Sequence, residues 1–169
     1  ATAGMDFSGQ NSNPVVFEST VTRRAEKPLK QENEDEADPV DLEEIFDLIR
    51  DIKDPEHEDL SLEALNVLAL KNVTVDNAIP RVHIFFTPTV PHCSASTLIG
   101  LCIRVKLLRS LPSDWKIDVQ ITPGAHLQEH AVNKQLNDKE RVAAALENSN
   151  LTDVVHKCLG GLGGKQHAG

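Results

Sequence analysis

The chain has 169 residues, of which 40% are hydrophobic, enough for one domain with a sizeable core. Its formal net charge is −9, with one tryptophan, no tyrosine and no basic stripe interleaved with aromatic residues, so direct nucleic-acid binding is not expected. No apolar run approaches the length of a membrane span, and the first residues lack the pattern of a secretion signal, so we expect an intracellular protein without a membrane segment.

The N-terminal part of the chain predicts a disordered acidic tail over residues 1–38, because it is polar, charged and nearly free of periodicity. Residues 1–4, "ATAG", precede Met5 and fit either a remnant of expression before a native start at Met5 or a native segment with an internal methionine; they are left out of the predicted fold. Fourteen of the 26 acidic residues fall within 31–59. This charge favours solubility over docking onto a basic partner surface, although both uses stay open.

A first helix is predicted to begin at Asp41, because Asp41-Leu42-Glu43-Glu44 has the form of a capping box. Apolar residues follow at helical spacing, namely Leu42, Ile45, Ile49 and Ile52. Asp54-Pro55 should stop the helix, since a residue before proline is pushed out of the α region.

Three strands are predicted around a central helix. Residues 67–75 and 81–89 alternate apolar and polar positions and should pair as a hairpin. A helix over 94–110 follows, and the alternation in "KIDVQITPG", from Lys116, marks the third strand. The basic residues of the central helix are expected on a solvated flank: Arg104, Lys106 and Arg109.

Two helices are predicted in the C-terminal third, one capped by Asp138 and a last one capped by Asn150. Between them and the third strand, residues 124–137 have weak periodicity and fit a loop, an irregular helix or an exchanged arm. The fold class predicted is α/β (α+β), a small three-stranded sheet packed by helices, in a single domain over 39–159. Residues 160–169 should form a flexible tail.

The three cysteines are far apart in sequence and form no CxxC, so neither a disulfide framework nor a zinc ribbon is expected. Cys102 and Cys158 lie among apolar residues and are predicted to be core. An iron-sulfur cluster usually needs four thiolate ligands, and this chain has three cysteines. Stable binding of such a cluster by a monomer is therefore not expected. A transient or bridged cluster, with Cys93 from one or two chains, stays open.

Cys93 is the sharpest candidate for chemistry. In "TPTVPHCSAST", which starts at Thr87, the thiol stands just before the start of the central helix. Unpaired amide groups and the helix dipole there favour an anion, which lowers a thiol's pKa and makes it a nucleophile or a metal ligand. A buried small hydrophobic residue at a helix start is the alternative.

Ligand-type side chains also cluster after the first helix, at Asp54, Glu56 and His57. Alone they describe a solvated turn, whereas beside Cys93 they would supply carboxylate and imidazole groups to a metal or a proton. Thr87, His92 and His126 are further supporting candidates, although a lone histidine is more often a satisfied polar group.

Three blocks of the sequence resemble the eukaryotic cytosolic iron-sulfur assembly subunit of the MIP-type, SufT/PaaD-related family. They are "EIFDLIRDIKDPEH", "FTPTVPHCSASTLIGLCIRVKLLRSLPSDWKIDVQITPGAH" and "EHAVNKQLNDKERVAAALEN". The resemblance covers residues 41–159 and leaves out both tails. The last block is more similar to the general client-delivery branch than to the branch for iron-regulatory clients.

The resemblance implies a non-enzymatic adaptor of the cytosolic targeting complex, with cytosolic and nuclear clients. Its partners would be a WD40 propeller subunit, a HEAT-repeat scaffold and apo iron-sulfur client proteins, and homodimers occur in the family, some with exchanged segments. The family's reactive cysteine falls on Cys93, and its acidic turn falls on Asp54, Glu56 and His57. Glu58-Asp59 replaces a proline usual in relatives, and Ala95-Ser96 replaces a common Met-Ala.

A thiol enzyme is the competing hypothesis, with Cys93 as nucleophile and His92 or His126 as base. Its weakness is that the spacing supplies no recognisable triad and no resolving cysteine.

Overall fold

A computed structural model describes residues 14–18, 39–89 and 95–160. The elements in chain order are α1 (Leu42–Ile49), a 3-10 turn (Leu70–Asn72), β1 (Val73–Asp76), β2 (Arg81–Phe86), α2 (Ala95–Ser110), β3 (Lys116–Ile121), α3 (Glu129–Asn137), α4 (Lys139–Glu147) and α5 (Ser149–Cys158). Five helices pack around a three-stranded sheet in this part of the chain, which confirms the predicted α+β class.

The sheet has the strand order β1-β2-β3. The predicted hairpin is present: β1 and β2 pair antiparallel, with Val73 opposite Ile84. β2 and β3 are parallel, with Val82 opposite Ile117, because α2 carries the chain back over the sheet between them. The core-facing residues of these two strands are Val82, Ile84, Phe86, Ile117, Val119 and Ile121.

α1 begins as predicted. The Asp41 carboxylate accepts the Glu44 amide at 2.8 Å, and the Glu44 carboxylate accepts the Asp41 amide at 3.2 Å, which completes the capping box. The helix ends at Ile49, before the proline that was expected to stop it. The Arg50 amide still closes onto the Phe46 carbonyl, and the buried Arg50 side chain fills the space below the helix end.

The predicted strand over 67–75 is shorter in the structure. Only its second half pairs with β2, because Asn66 takes a positive φ of 55° and Val67 and Leu68 hydrogen-bond back to the Leu62 carbonyl. The apolar residues at the start of the predicted strand, Val67 and Leu68, are therefore buried in a turn and not in a strand. The helix cap predicted at Asn150 is also wrong: Asn148 caps α5 by accepting the amides of Asn150 and Leu151.

Arg104 corrects the prediction of a solvated basic flank. Its side chain is buried, and a guanidinium N–H donates to the Ile117 carbonyl at 2.8 Å, which joins α2 to β3. Desolvation lowers the pKa of Arg104, and the nearby Asp118 charge opposes that shift. Arg109 is exposed as predicted and contacts His156 on α5.

Residues 124–137, whose structure stayed open in the sequence, end in α3, which runs along the outer edge of β3. Asn133 accepts the Ile121 amide at 2.8 Å. Asn137 accepts the Val119 amide at 3.3 Å and donates to the Val119 carbonyl at 3.0 Å. Two side chains one helical turn apart thus satisfy backbone groups that a fourth strand would otherwise pair.

Asn137→Ala is expected to lower the free energy of unfolding by about 2 kcal/mol, because it leaves both backbone groups of the buried Val119 unpaired. Asn150→Ala is the matched control: its side chain is exposed, and the expected change is below about 0.5 kcal/mol. Urea unfolding of both variants measures the difference. If Asn137→Ala and Asn150→Ala had equal free energies of unfolding, α3 would not protect the sheet edge.

Two further features concern the periphery of the domain. Within the region predicted as a tail, residues 14–18 form neither helix nor strand, and the Phe17 amide donates to the Ala64 carbonyl at 2.6 Å. Apart from these residues and Gly160, both predicted tails lie outside the described residues. None of the helices in the described ranges is long and apolar enough to cross a membrane.

Candidate functional site

The turn after α1 is built around the Asp54 carboxylate. Asp54 is 3% exposed, and its Oδ1 accepts the amides of Glu56 at 2.8 Å and His57 at 3.0 Å. The Asp54 amide donates to the Leu60 carbonyl, which closes the turn at its base. Pro55 fixes the backbone between the carboxylate and the two amides it accepts. The turn is therefore a preorganised unit with defined side-chain directions.

The same turn gathers the ligand-type atoms predicted from the sequence. One such atom from each of Asp54, Glu56 and His57 lies within 4.8 Å of the other two. His57 Nε2 is buried and has no hydrogen-bond partner in the part of the chain that the structure describes. A neutral imidazole with an unused ring nitrogen and two carboxylates is a donor set that divalent metal ions accept.

A groove of about 630 Å³ connects the turn to the start of α2. Pro55 and Glu56 line one side of it, and Ala95 and Thr97 of α2 line another. Cys93 and His92 lie outside the described residues, in segment 90–94, which directly precedes Ala95 in the sequence. Of the three ligand-type residues of the turn, Glu56 thus shares a groove with the beginning of the helix that Cys93 was predicted to precede.

The other candidates have structural partners. The Thr87 and Thr122 hydroxyls share a hydrogen bond of 2.8 Å where β2 and β3 end. His126 is nearly buried, and its Nδ1 accepts the Gln128 amide at 2.9 Å. The neutral ring therefore carries its proton on Nε2. Neither residue belongs to the cluster of ligand-type atoms found in the described ranges.

The turn is also tied to the last helix. The Lys53 amide donates to the Cys158 carbonyl at 2.8 Å, and Glu58 forms an ion pair with Lys157. Cys158 and Cys102 are buried as predicted, and a hydrogen bond with Cys158, ahead of desolvation, raises the pKa of the Cys102 thiol. This contact was missed, since a separation of this size in sequence carries no signal of proximity.

Fold and site define a small α+β domain with a carboxylate-imidazole turn beside the start of its central helix. The chain matches the family described as iron-sulfur cluster assembly protein over residues 42–121, which include the turn. It is 57% identical over 152 residues to cytosolic iron-sulfur assembly component 2B of Mus musculus, covering 89% of this chain and 90% of that protein.

Two other relatives extend the comparison. MIP18 family protein galla-2 of Drosophila melanogaster is 54% identical over 156 residues, covering 91% of this chain and 97% of its own length. Protein AE7 of Arabidopsis thaliana is 54% identical over 149 residues, covering 88% of this chain and 94% of its own. This chain belongs to the MIP18 family of iron-sulfur cluster assembly proteins. The resemblance seen in the sequence is thereby confirmed.

Proposed function

We propose that this chain acts in cytosolic iron-sulfur cluster assembly as a non-enzymatic adaptor that helps deliver clusters to cytosolic and nuclear apo-proteins. Relatives from Mus musculus and Dictyostelium discoideum, 57% and 54% identical to it, are named cytosolic iron-sulfur assembly component 2B. The cluster is cargo in this proposal. It would contact the chain transiently or bridge two chains through Cys93.

The observation that carries the proposal is the groove shared by the turn and the start of α2. Glu56 and Ala95 line it together, and Cys93 stands two residues before Ala95 in the sequence. Thiolate is the ligand that iron-sulfur clusters prefer, and carboxylate and imidazole suit ferrous iron. We infer that Cys93, Asp54, Glu56 and His57 form one thiol-carboxylate-imidazole site.

The geometry gives less support to a thiol enzyme. A base for Cys93 needs an unoccupied lone pair within reach of the thiol. The Nδ1 lone pair of His126 accepts a backbone amide, so a neutral ring would carry its proton on Nε2 and offer no free lone pair to Cys93. Of the two bases considered for that hypothesis, His92 alone is then left.

The proposed partners are a WD40 propeller subunit, a HEAT-repeat scaffold and apo client proteins, with a second copy of this chain where a cluster is bridged. The named relatives support a role among other assembly components in the cytosol. The client-facing surface would include the apolar groove beside the turn, which Leu98, Leu101 and Val154 also line.

The experiment reconstitutes the chain with the two partner subunits under anaerobic conditions and follows cluster transfer to an apo client by visible absorption. Cys93→Ala is expected to assemble normally, as judged by native mass spectrometry, and to deliver clusters at least about tenfold more slowly. Cys102→Ala is the matched control, since its thiol is buried in the core, and it should deliver normally. Unchanged delivery by Cys93→Ala would contradict the proposal.

A further inference from the structure

The groove of about 630 Å³ beside the turn after α1 is lined mainly by apolar side chains of four helices. Buried core residues line it together with partly exposed ones, namely Leu101, Leu136 and Val142, and Leu98, Ala145 and Leu151. Val154 on α5 also lines it and is 37% exposed. Concave surfaces of this size and apolar character are typical of binding sites.

The walls of the groove are held in place by short junctions between helices. Asp138 ends α3 and caps α4, and its carboxylate accepts two amides from the first turn of α4. Asn148 does the same between α4 and α5. Gly100 lets α2 approach α3, since a Cβ at this position would lie 2.4 Å from a methyl carbon of Leu136. The groove is therefore formed before a partner arrives, which lowers the cost of binding.

The lining determines which kind of segment fits the groove. Apart from Pro55 and Glu56 of the turn, every described residue that lines it lies in a helix, where backbone groups beyond the first and last turns are paired internally. An extended segment needs partners for its own backbone groups, which a sheet edge supplies and this lining does not. A helix pairs its backbone internally and presents side chains alone. The groove therefore fits an amphipathic helix.

Arg141 determines the charge of the segment that fits. Its side chain lines the groove and is 57% exposed. The ion pair that it forms with Asp138 on the same helix end is long, at 3.7 Å between Nε and Oδ2. Because a guanidinium has five N–H donors in a planar fork, this contact leaves donors for a carboxylate from a partner. An acidic residue beside the apolar stripe of a partner helix would complement this charge.

We propose that the groove receives an amphipathic helix of an apo client protein, with its apolar stripe against α2, α4 and α5 and an acidic residue against Arg141. The inference rests on the proposed function, because that function makes the partner a client. Glu56 lines the same groove, so a helix seated there lies beside the turn of the candidate site.

The first test places the photo-crosslinking residue benzoylphenylalanine at position 154 of the full chain, reconstituted with the two partner subunits and an apo client. Irradiation should link this position to one client segment with apolar residues at helical spacing and an adjacent Asp or Glu, identified by peptide mass spectrometry. The same residue at Leu108, which is exposed on α2 and does not line the groove, should link to the client at least about fivefold less.

Three results of this cross-linking would overturn the proposal. The first is a link from position 154 only to a partner subunit or to a second copy of this chain. The second is a link to a client segment without helical spacing. The third is a yield of client cross-link no higher than that from position 108.

The second test measures the affinity of the full chain for the linked client segment, made as a synthetic peptide. Arg141→Glu should weaken binding about fivefold or more, and replacing the acidic residue of the peptide by Lys should restore binding to that variant. Val154→Asp should weaken binding at least about tenfold, because it buries a charge against the apolar stripe. Leu108→Asp is the matched control and should bind normally. Unchanged affinity in both groove variants would contradict the proposal.

Cys93→Ala distinguishes this inference from the proposed function. This variant should bind the peptide normally while it delivers clusters slowly. Slow delivery by Cys93→Ala, together with normal peptide binding by Arg141→Glu and Val154→Asp, would overturn the groove and leave the adaptor function in place. Normal delivery by Cys93→Ala, together with weakened peptide binding by the two groove variants, would overturn the proposed role of the thiol and support the groove.

Discussion

Glu63→Leu is expected to lower the free energy of unfolding by about 3 kcal/mol, because it removes the main counter-charge of a buried arginine. Arg50 is 1% exposed, and its guanidinium forms two hydrogen bonds of 2.8 Å with the two Glu63 carboxylate oxygens. Asp47 supplies one further bond from the exposed side. In the parent protein the Glu63 interaction, ahead of desolvation, raises the pKa of Arg50. Without Glu63 the guanidinium cannot escape the loss by deprotonation, because arginine stays protonated in proteins.

A double-mutant cycle isolates the pair. Arg50→Met with Glu63→Leu replaces both charges by apolar side chains of similar volume, and the combined loss should be smaller than the sum of the single losses by about 1 kcal/mol or more. Glu147→Leu is the control, since that carboxylate is exposed on α4 and should matter by less than about 0.5 kcal/mol. Unfolding in guanidinium chloride measures the free energy of unfolding of the two single variants, the double variant and the control. Strictly additive losses would show that the two residues do not interact.

Asp54→Asn is expected to keep the fold and to lose function. The asparagine side chain retains an oxygen that can accept the Glu56 and His57 amides, so the free energy of unfolding should change by less than about 1 kcal/mol. The negative charge is lost, and metal affinity with it. Cluster delivery in the reconstituted complex should therefore fall by about tenfold or more.

Asp54→Ala separates the two roles of this carboxylate. It removes the acceptor of both amides within a buried turn, so it should cost about 2 kcal/mol in addition to the loss of delivery. Circular dichroism during urea unfolding gives the stability, and the reconstituted transfer assay gives the function. If Asp54→Asn delivered clusters at the normal rate, the carboxylate would be a structural cap only.

The parts of the fold that the sequence predicted are those in which local pattern and burial agree. The capping box at Asp41 and the alternation in β2 and β3 each encode their element within a few residues. The strand predicted from residue 67 begins only at Val73, because Val67 and Leu68 are both buried in a turn whose amides bond back to the Leu62 carbonyl. Apolar residues report burial, which a turn can provide as well as a strand.

Features made by distant segments left no such local signal. Asn133 and Asn137 belong to a weakly periodic segment, and their purpose becomes visible only when β3 lies beside them. Arg104 was placed in solvent because its carbonyl partner, Ile117, lies across the α2–β3 interface. For the same reason nothing in the spacing of Cys102 and Cys158 indicated their contact.

The candidate site was likewise predictable from the sequence only in part. Asp54, Glu56 and His57 were predictable as a cluster, because adjacent residues on a turn after a helix stop must lie close together. The groove that joins this turn to the start of α2 depends on how the turn packs against α2, α3, α4 and α5, so it became known only from the structure. The role of Cys93 remains a prediction from its position before that helix.

The most direct test of a shared thiol-carboxylate-imidazole site is the rate of Cys93 alkylation with and without ferrous iron, under anaerobic conditions and in a Cys102→Ser background. Intact mass and the mass of the tryptic peptide 82–104 report the modification. If the turn and the thiol hold iron together, iron should slow alkylation, and Asp54→Asn and His57→Gln should each abolish most of the protection. Protection that persists in both variants, or none in the parent protein, would contradict a shared site.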